Sequence, residues 1–244
     1  MLINWIINVT PFAVLSLIAS AVGSQEDLID SFANVGYLVL ASCFGMAMQF
    51  LIVHVVIYYL VTKTNPFTYL RCIIPAQTMA FACASSAATI PMTLKSVRST
   101  GIVPESVLRF VVPLGATINM DGSAIYFPCA CIWLAVLNGV EPNVAHYFLL
   151  IIIATIGSAG AAPVPSSGLV LIVTAYNTVF GTTGIPDGFA YVVAIDWFLD
   201  RCITVTNVTG DSMVCGMVSH LCPVDDNEED VGWSLGCRQE AHVD

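Results

Sequence analysis

The sequence predicts an all-α membrane protein in which transmembrane helices accompany two opposed re-entrant hairpins. Three observations lead to this fold class: the low charge of the chain, a series of long apolar runs, and two apolar segments interrupted by small residues and proline. Of the 244 residues, only 10% are charged and 57% are hydrophobic, and the mean hydropathy is +0.84. A soluble domain carries roughly 25% charged residues, so the composition excludes that class.

The same composition excludes several functions. The seven Lys and Arg residues are scattered, which excludes a basic nucleic-acid surface. The nine cysteines lie mostly in apolar stretches and indicate small buried side chains; none has zinc-site spacing, and the four histidines are dispersed. We infer no cofactor, metal centre or disulfide framework. The nucleophile and general-base patterns of hydrolases are absent from the sequence, so we do not expect an enzyme.

The apolar runs set the number of membrane segments. They occupy residues 5–22, 35–62, 106–137, 145–181 and 189–220, with a shorter run near 72–93. About 20 helical residues cross the apolar core of a bilayer, so most runs are long enough to span it. The first run has a second interpretation as a signal peptide, since Ala19-Ser20-Ala21 resembles a cleavage site. The lack of Lys and Arg among the first ten residues speaks against it.

Two apolar segments are interrupted by sequences that ordinary spans lack. They read CASSAATIPMT at 83–93 and TIGSAGAAPVPSSG at 155–168. At membrane depth such breaks are tolerated only when buried in protein or lining a cavity, and paired breaks are typical of transporter binding sites. Basic residues surround the first segment, whereas loops 22–34, 138–147 and 181–190 contain none. The positive-inside rule therefore predicts that the two hairpins enter from opposite sides, the first from the cytoplasm.

A polar stripe runs along the last apolar segment, residues 189–220. At about 100° per residue, Asp200, Asn207 and Asp211 fall within about 60° of Asp196 and extend over roughly 22 Å of helix axis. Ionised carboxylates in a membrane are unfavourable unless they have a partner, and Arg201 points away at about 140°. The stripe therefore predicts a line of oxygen ligands for sodium or another hard cation inside the protein.

A second broken element reads VVPLGATINMDGSAIY at 111–126. Its unpaired Asp121 precedes Gly122 within apolar flanks. We predict local unwinding here, which frees carbonyl groups to coordinate an ion.

These segments together resemble the dicarboxylate/amino acid:cation symporter family, which includes excitatory and neutral amino acid transporters. The matching stretches are SSAATIP at 85–91, PLGATINMDGS at 113–123, PVPSSG at 163–168 and DWFLDRCITVTNVTGD at 196–211. The resemblance extends to about residue 222. It implies the transport-domain portion of a glutamate-transporter-like fold, and that the chain begins near the fifth of eight family helices, as a fragment or truncated product.

The resemblance also implies a division of the chain. Residues 1–30 would form a scaffold-like helix, residues 31–222 the transport domain, and residues 223–244 an acidic cytoplasmic tail. Within the transport domain, the sixth helix would be followed by hairpin 1 at about 66–93, the seventh helix at 106–137, hairpin 2 at 145–181 and the eighth helix at 189–220.

The family motifs assign roles to individual positions. Asp200 would bind the amino group of the substrate, and Asn207 and Ser86 its α-carboxylate; the pocket would be completed by Ala84, Val164, Thr204, Ser123 and Ile203. One sodium ion would bind Gly115, Asn119, Asn207 and Asp211. A second would bind carbonyls of Thr117, Met120, Ser158, Ala159 and Ala161, and Asn119 and Asp121 would share a third.

Two departures from the family pattern determine the expected substrate. Transporters of acidic substrates have an arginine at the position of Ile203, which lies on the polar stripe. A substrate carboxylate would be buried there without a partner, so we expect a small neutral amino acid. Phe127 replaces a glutamate that is tied to proton and potassium coupling in the excitatory transporters, so sodium symport or exchange is expected without potassium.

The predicted function is therefore sodium-coupled amino acid transport by alternating access, in a multi-pass protein of the plasma membrane. Its expected partners are the substrate, sodium and the lipid bilayer, and the full-length protein would form a homotrimer. Three alternatives remain at this stage: a non-transporting fragment or regulatory subunit, a symporter of acidic amino acids or dicarboxylates, and a channel.

Overall fold

The computed structural model describes residues 28–223 and the single position Ser16. The predicted first span, nearly all of the scaffold-like segment 1–30 and the tail beyond residue 223 lie outside the described residues. Every regular element in the described part is helical, and it contains no strand. The all-α prediction is thus confirmed.

The first helical stretch begins with α1 (Leu28–Gln49), continues through a π-helical segment (Phe50–Ile57) and ends with α2 (Tyr58–Thr62). The apolar run at 35–62 predicted a helix here but not its π-helical part. Lys63 ends the stretch in a left-handed conformation, with φ of 56°. Length and composition allow two helical stretches of the described chain to cross a membrane: Asn34–Thr62 and Glu105–Leu137.

Helices α3 (Pro66–Cys83) and α4 (Ser86–Arg98) form the first hairpin. Asn65 caps α3 by accepting a hydrogen bond from the Phe67 N–H, and Pro66 occupies the first turn, where no N–H is needed. Residues 84–85 form the tip, with Ala84 in a left-handed conformation. The second arm extends five residues beyond the predicted end at 93, because a charged, helix-compatible segment continues the apolar one.

The predicted seventh helix is two helices, α5 (Glu105–Ile118) and α6 (Asp121–Leu137). The second hairpin follows as α7 (Val144–Ala159) and α8 (Gly168–Phe180), joined by a loop at 160–167. A reciprocal capping box between Asn143 and His146 starts α7. The two arms have 16 and 13 residues, fewer than the roughly 20 that cross a bilayer.

The last helix, α9 (Phe189–Leu221), contacts α1–α6 and forms the centre of the fold. Two main apolar clusters pack around it. One includes Leu38, Leu134, Ile172 and Leu199 near the second hairpin, and the other includes Tyr58, Ile73, Leu108 and Met213 near the first. Most of the polar stripe of α9 lies inside the protein, as predicted: Asp196, Asn207 and Asp211 are each at most 5% exposed, whereas Asp200 is half-buried.

Candidate functional site

The break between α5 and α6 lies at Asn119 and Met120, where the sequence predicted unwinding. Both residues have non-helical backbone angles, with ψ of 76° and 57°. The Met120 N–H donates to the carbonyl of Ile118 at 3.1 Å and thereby leaves the helical i to i−4 pattern. The interruption creates a new helix N-terminus in the interior of the protein.

Asn207 of α9 accepts a hydrogen bond from one of the backbone N–H groups at this new N-terminus. Its Oδ1 accepts a hydrogen bond from the Gly122 N–H at 2.8 Å, and its Nδ2 donates to Met120 Sδ at 3.3 Å. Unpaired N–H groups at a buried helix start need such acceptors. A Cβ on Gly122 would come within 2.7 Å of the Ile203 carbonyl oxygen, so glycine allows α6 to approach the α9 backbone closely.

The tips of the two hairpins contact each other beside the break. Ser85 Oγ donates to the carbonyl of Pro163 at 2.7 Å, and the Ala87 N–H donates to the same carbonyl at 3.4 Å. Ser85 also caps α4 by accepting from the Ala88 N–H at 3.2 Å. Ser86 was predicted for the site and Ser85 was not, although Ser followed by a helical segment is a recognisable N-cap signal.

A small cavity of about 20 Å³ lies between the tips, the break and α9. All eight residues that the family resemblance implies for the substrate line it, and the structure therefore brings them together. The lining residues that the sequence analysis did not assign to the substrate are Met120, Ala161, Ala162, Pro163 and Ser167. The complete predicted set in the lining is Ala84, Ser86, Ser123, Val164, Asp200, Ile203, Thr204 and Asn207.

Asp200 is the one charged residue in the cavity lining. Its Oδ2 accepts a hydrogen bond from the Ser166 N–H at 3.0 Å. The nearest cation along α9, Arg201, instead stacks on the Trp197 ring at 4.4 Å and donates to the Trp197 carbonyl. Ile203, one turn further along the same face of α9, also lines the cavity and is 4% exposed and apolar. The cavity thus offers one anion and no cation to a ligand.

Phe127, at the position of the family glutamate, is also buried. It is 2% exposed, and its ring lies against Gly168 at the start of α8, where a Cβ would come within 2.6 Å of Phe127 Cε1. This position is an apolar contact between α6 and the second hairpin.

Three of the four residues predicted for the first sodium ion, Gly115, Asn119 and Asp211, contact one another beside the break, whereas Asn207 lines the cavity. Asn119 Nδ2 donates to Asp211 Oδ1 at 3.0 Å, and Asp211 packs directly against Gly115, which leaves no room for a Cβ there. Asp211 is 2% exposed. A buried carboxylate, an amide and nearby carbonyls are hard oxygen donors of the kind that suits sodium.

Asp121 lies next to this group and has a partner that the sequence analysis missed. His54 Nε2, from the π-helical segment, lies 3.5 Å from Asp121 Oδ2, and His54 is 1% exposed. Gly210 lets Asp121 and Asn119 lie close to the α9 backbone: a Cβ there would lie 2.6 Å from Asp121 Oδ2 and 2.8 Å from Asn119 Nδ2. A lone histidine in an apolar helix was the available signal, but no spacing rule connects positions 54 and 121.

The residues expected to bind the second sodium ion occupy two contacting helices and the loop that follows one of them. Thr117 and Met120 lie at the end of α5 and at the break, whereas Ser158, Ala159 and Ala161 lie at the end of α7 and just beyond it. The Ser158 carbonyl accepts from the Ala161 N–H, and the Met120 carbonyl accepts from the Ala124 N–H. Ser158 and Ala161 are buried, but Thr117 and Ala159 are exposed. The residues predicted for the second sodium ion are therefore less buried as a group than Asn119 and Asp211 of the first.

Among the described residues, no group of three or more His, Cys, Asp or Glu side chains could hold a metal ion.

Comparison with known proteins identifies the family. The profile of the "Sodium:dicarboxylate symporter family" matches residues 1–221. Human "Neutral amino acid transporter A" is 35% identical over 221 residues, which cover 90% of this chain and 41% of the relative. "Excitatory amino acid transporter 1" of Ambystoma tigrinum is 38% identical over 212 residues, and mouse "Excitatory amino acid transporter 5" 35% identical over 216; these cover 86% and 88% of this chain and 38% of each relative.

The chain therefore spans about two fifths of the length of the curated relatives it matches. The names of these relatives are those of transporters and not of enzymes. With the profile match extending over nearly the whole sequence, the chain belongs to the sodium:dicarboxylate symporter family.

Proposed function

We propose that this chain is the transport-domain portion of a sodium-coupled secondary transporter of small neutral amino acids. The observation that carries the proposal is that one cavity is lined by both the carboxylate of Asp200 and the apolar side chain of Ile203. A zwitterionic amino acid brings one ammonium and one α-carboxylate. Asp200 provides the anionic partner for the ammonium, while the side chain of the substrate meets an apolar wall.

The α-carboxylate would bind beside the break. The start of α6 lies next to the cavity, where helix N–H groups and the helix dipole favour an anion. Asn207 and Ser86 would donate to this carboxylate. Asn207 holds Gly122 and Met120 in the described structure, so substrate binding would exchange some of these bonds for bonds to the ligand.

Sodium binding would be coupled to substrate binding through the break between α5 and α6. Gly115, Asn119, Asn207 and Asp211 would bind one ion beside the break, with Asn119 and Asp121 contributing to another. Because both groups depend on the conformation of residues 119–120, an ion bound there would stabilise the substrate-binding shape of the break. The residues at 117, 120 and 158–161 would bind a further ion under the tip of the second hairpin.

Alternating access would require one hairpin tip to move. A buried water molecule needs about 10–15 Å³ of such space, so the cavity of about 20 Å³ is too small for an amino acid. We assign this movement to the second hairpin, whose loop 160–167 supplies Ala161, Ala162, Pro163, Val164 and Ser167 to the lining. In the membrane both hairpins would be re-entrant from opposite sides, in a plasma-membrane homotrimer with a cytoplasmic acidic C-terminus.

An acidic substrate is the second candidate, because the excitatory amino acid transporters match this chain as well as the neutral one does. A side-chain carboxylate would face Ile203, and leaving an anion unpaired in a buried site is unfavourable by several kcal/mol. Arg201 does not offset this, since it stacks on Trp197. We therefore favour the neutral substrate.

The test is thermal unfolding of the purified chain in detergent with alanine, serine or aspartate, each in sodium chloride and in choline chloride at equal ionic strength. A ligand that binds only the folded state raises the unfolding temperature. We expect alanine and serine to raise it only in sodium, with no effect of aspartate. Asp200→Asn should abolish the response, and Asp187→Asn, in the exposed loop before α9, should retain it. Stabilisation by aspartate alone would favour the second candidate.

A further inference from the structure

We propose that Asp196 is a positioning residue: through Ser166 it holds the tip of the second hairpin against α9 and aims a backbone N–H at Asp200. The inference rests on the proposed function, because it takes Asp200 as the group that binds the substrate amine. Asp196 belongs to the polar stripe, but neither the cavity lining nor the predicted ion sites give it a role.

Ser166 is attached to α9 at two points. Its Oγ donates to Asp196 Oδ2 at 2.7 Å, and its N–H donates to Asp200 Oδ2 at 3.0 Å. The two carboxylates lie four residues apart and so on the same face of the helix. One hairpin residue thus bridges one turn of α9, and Ser166 N–H occupies one oxygen of Asp200 while the other remains for an ammonium group.

The backbone of Ser166 indicates that this attachment holds it in place. Its φ is +58°, in the left-handed region that a residue with a Cβ seldom adopts. In the described part of the chain the other such non-glycine residues, Lys63 and Ala84, are helix C-caps, where this conformation is common. Ser166 lies inside the loop before α8, where its carbonyl accepts from the Leu169 N–H, and its two bonds to α9 add to what favours its conformation.

Burial makes the Asp196 bond hard to replace. Asp196 is 5% exposed, and the cation nearest along α9, Arg201, stacks on Trp197 instead. A hydroxyl that donates to a carboxylate forms a stronger bond than one between neutral groups. While the tip lies on α9, Asp196 has little access to water, and Ser166 Oγ is a donor that it loses if the tip leaves. Asp196 therefore favours the closed tip and fixes the direction of the N–H that orders Asp200.

The experiment is hydrogen–deuterium exchange of the full chain in detergent, read by mass spectrometry on peptides that cover residues 160–168. We expect Ser166→Ala, Ser166→Gly and Asp196→Ala each to speed exchange there by roughly tenfold or more, the effect of losing one bond to a charged group. Asp196→Asn keeps an acceptor for Ser166 Oγ and should restore slow exchange. Thr178→Ala is the control, because it removes a hydroxyl of the same hairpin that bonds only within α8.

The glycine variant separates the bond from backbone strain. Glycine adopts positive φ freely, so if strain alone governed the tip, Ser166→Gly would exchange as slowly as the wild type or more slowly. That result would overturn the proposal, as would unchanged exchange in Ser166→Ala. Should Asp196→Ala fail to fold, the two Ser166 variants still decide, since Ser166 is exposed.

Alanine binding in sodium provides the second readout. The half-saturating alanine concentration in thermal unfolding should rise roughly tenfold in Ser166→Ala and Ser166→Gly and stay near the wild-type value in Asp196→Asn. Faster exchange with unchanged alanine affinity would overturn the positioning of Asp200. If the wild type does not respond to alanine at all, the proposed function fails, and exchange still reports on the Asp196–Ser166 contact.

Discussion

Ser85 at the tip of the first hairpin donates a hydrogen bond from its Oγ to the carbonyl of Pro163 at the tip of the second, at 2.7 Å. The two residues are 78 positions apart in the sequence. Their contact closes one side of the cavity that contains Asp200. It also explains how a proline fits the tip, because Pro163 takes part through its carbonyl and needs no N–H.

Replacing Ser85 with alanine should therefore loosen the contact between the tips. The variant loses the bond to Pro163 and the cap on the Ala88 N–H, which together stabilise the fold by about 1–3 kcal/mol. We expect a lower unfolding temperature. Ser99→Ala, which removes a hydroxyl bonded within the end of the same hairpin, is the control and should have a smaller effect. Equal effects of the two substitutions would contradict the role given to Ser85.

The apolar wall at Ile203 predicts a change of substrate preference. Ile203→Arg places a guanidinium on the cavity wall, where it can pair with a second carboxylate in two-pronged geometry. We expect aspartate to stabilise this variant in sodium and the response to alanine to fall by roughly tenfold or more. Ile203→Met changes the shape without adding charge and should keep the alanine response. A variant that folds but gains no aspartate response would contradict the pocket arrangement.

The sequence predicted the parts of the site that local patterns encode. The unwinding at Asn119 and Met120 follows from an Asn-Met-Asp triplet before Gly122 in an apolar helix, and the inward-facing stripe of α9 follows from helical periodicity. The π-helical segment between α1 and α2 was not predictable, because the FLIVHVVI run has no feature that separates π from α geometry. The contacts of His54 with Asp121 and of Ser166 with Asp196 join distant elements, so only the packed structure reveals them.

The Asn119–Asp211 pair predicts how sodium dependence responds to charge. Asp211→Asn retains the size of the side chain and an oxygen that can accept from Asn119 Nδ2, so we expect the fold to persist. The lost negative charge should weaken sodium binding by roughly 10- to 100-fold. The measurement is the sodium concentration that gives half of the alanine-dependent stabilisation. If the sodium titrations of Asp211→Asn and the wild type coincide, Asp211 is not a sodium ligand.

Replacing Gly210 with alanine tests the same region sterically, without removing any polar group. A Cβ at this position would lie 2.6 Å from Asp121 Oδ2 and 2.8 Å from Asn119 Nδ2, both near the break. Gly210→Ala should therefore displace these two groups, destabilise the fold by about 1–3 kcal/mol and weaken sodium-dependent stabilisation by alanine.

The control for Gly210 is Gly36→Ala in α1, where a new Cβ meets nothing within 4 Å. Alanine there should be neutral or stabilising by up to about 1 kcal/mol, because it favours the helix over glycine. If Gly210→Ala behaves like Gly36→Ala in both stability and sodium response, the ion-binding region tolerates displacement of Asp121 and Asn119. Their assignment as sodium ligands would then be wrong, whereas a loss confined to Gly210→Ala would show that the break must keep its close approach to α9.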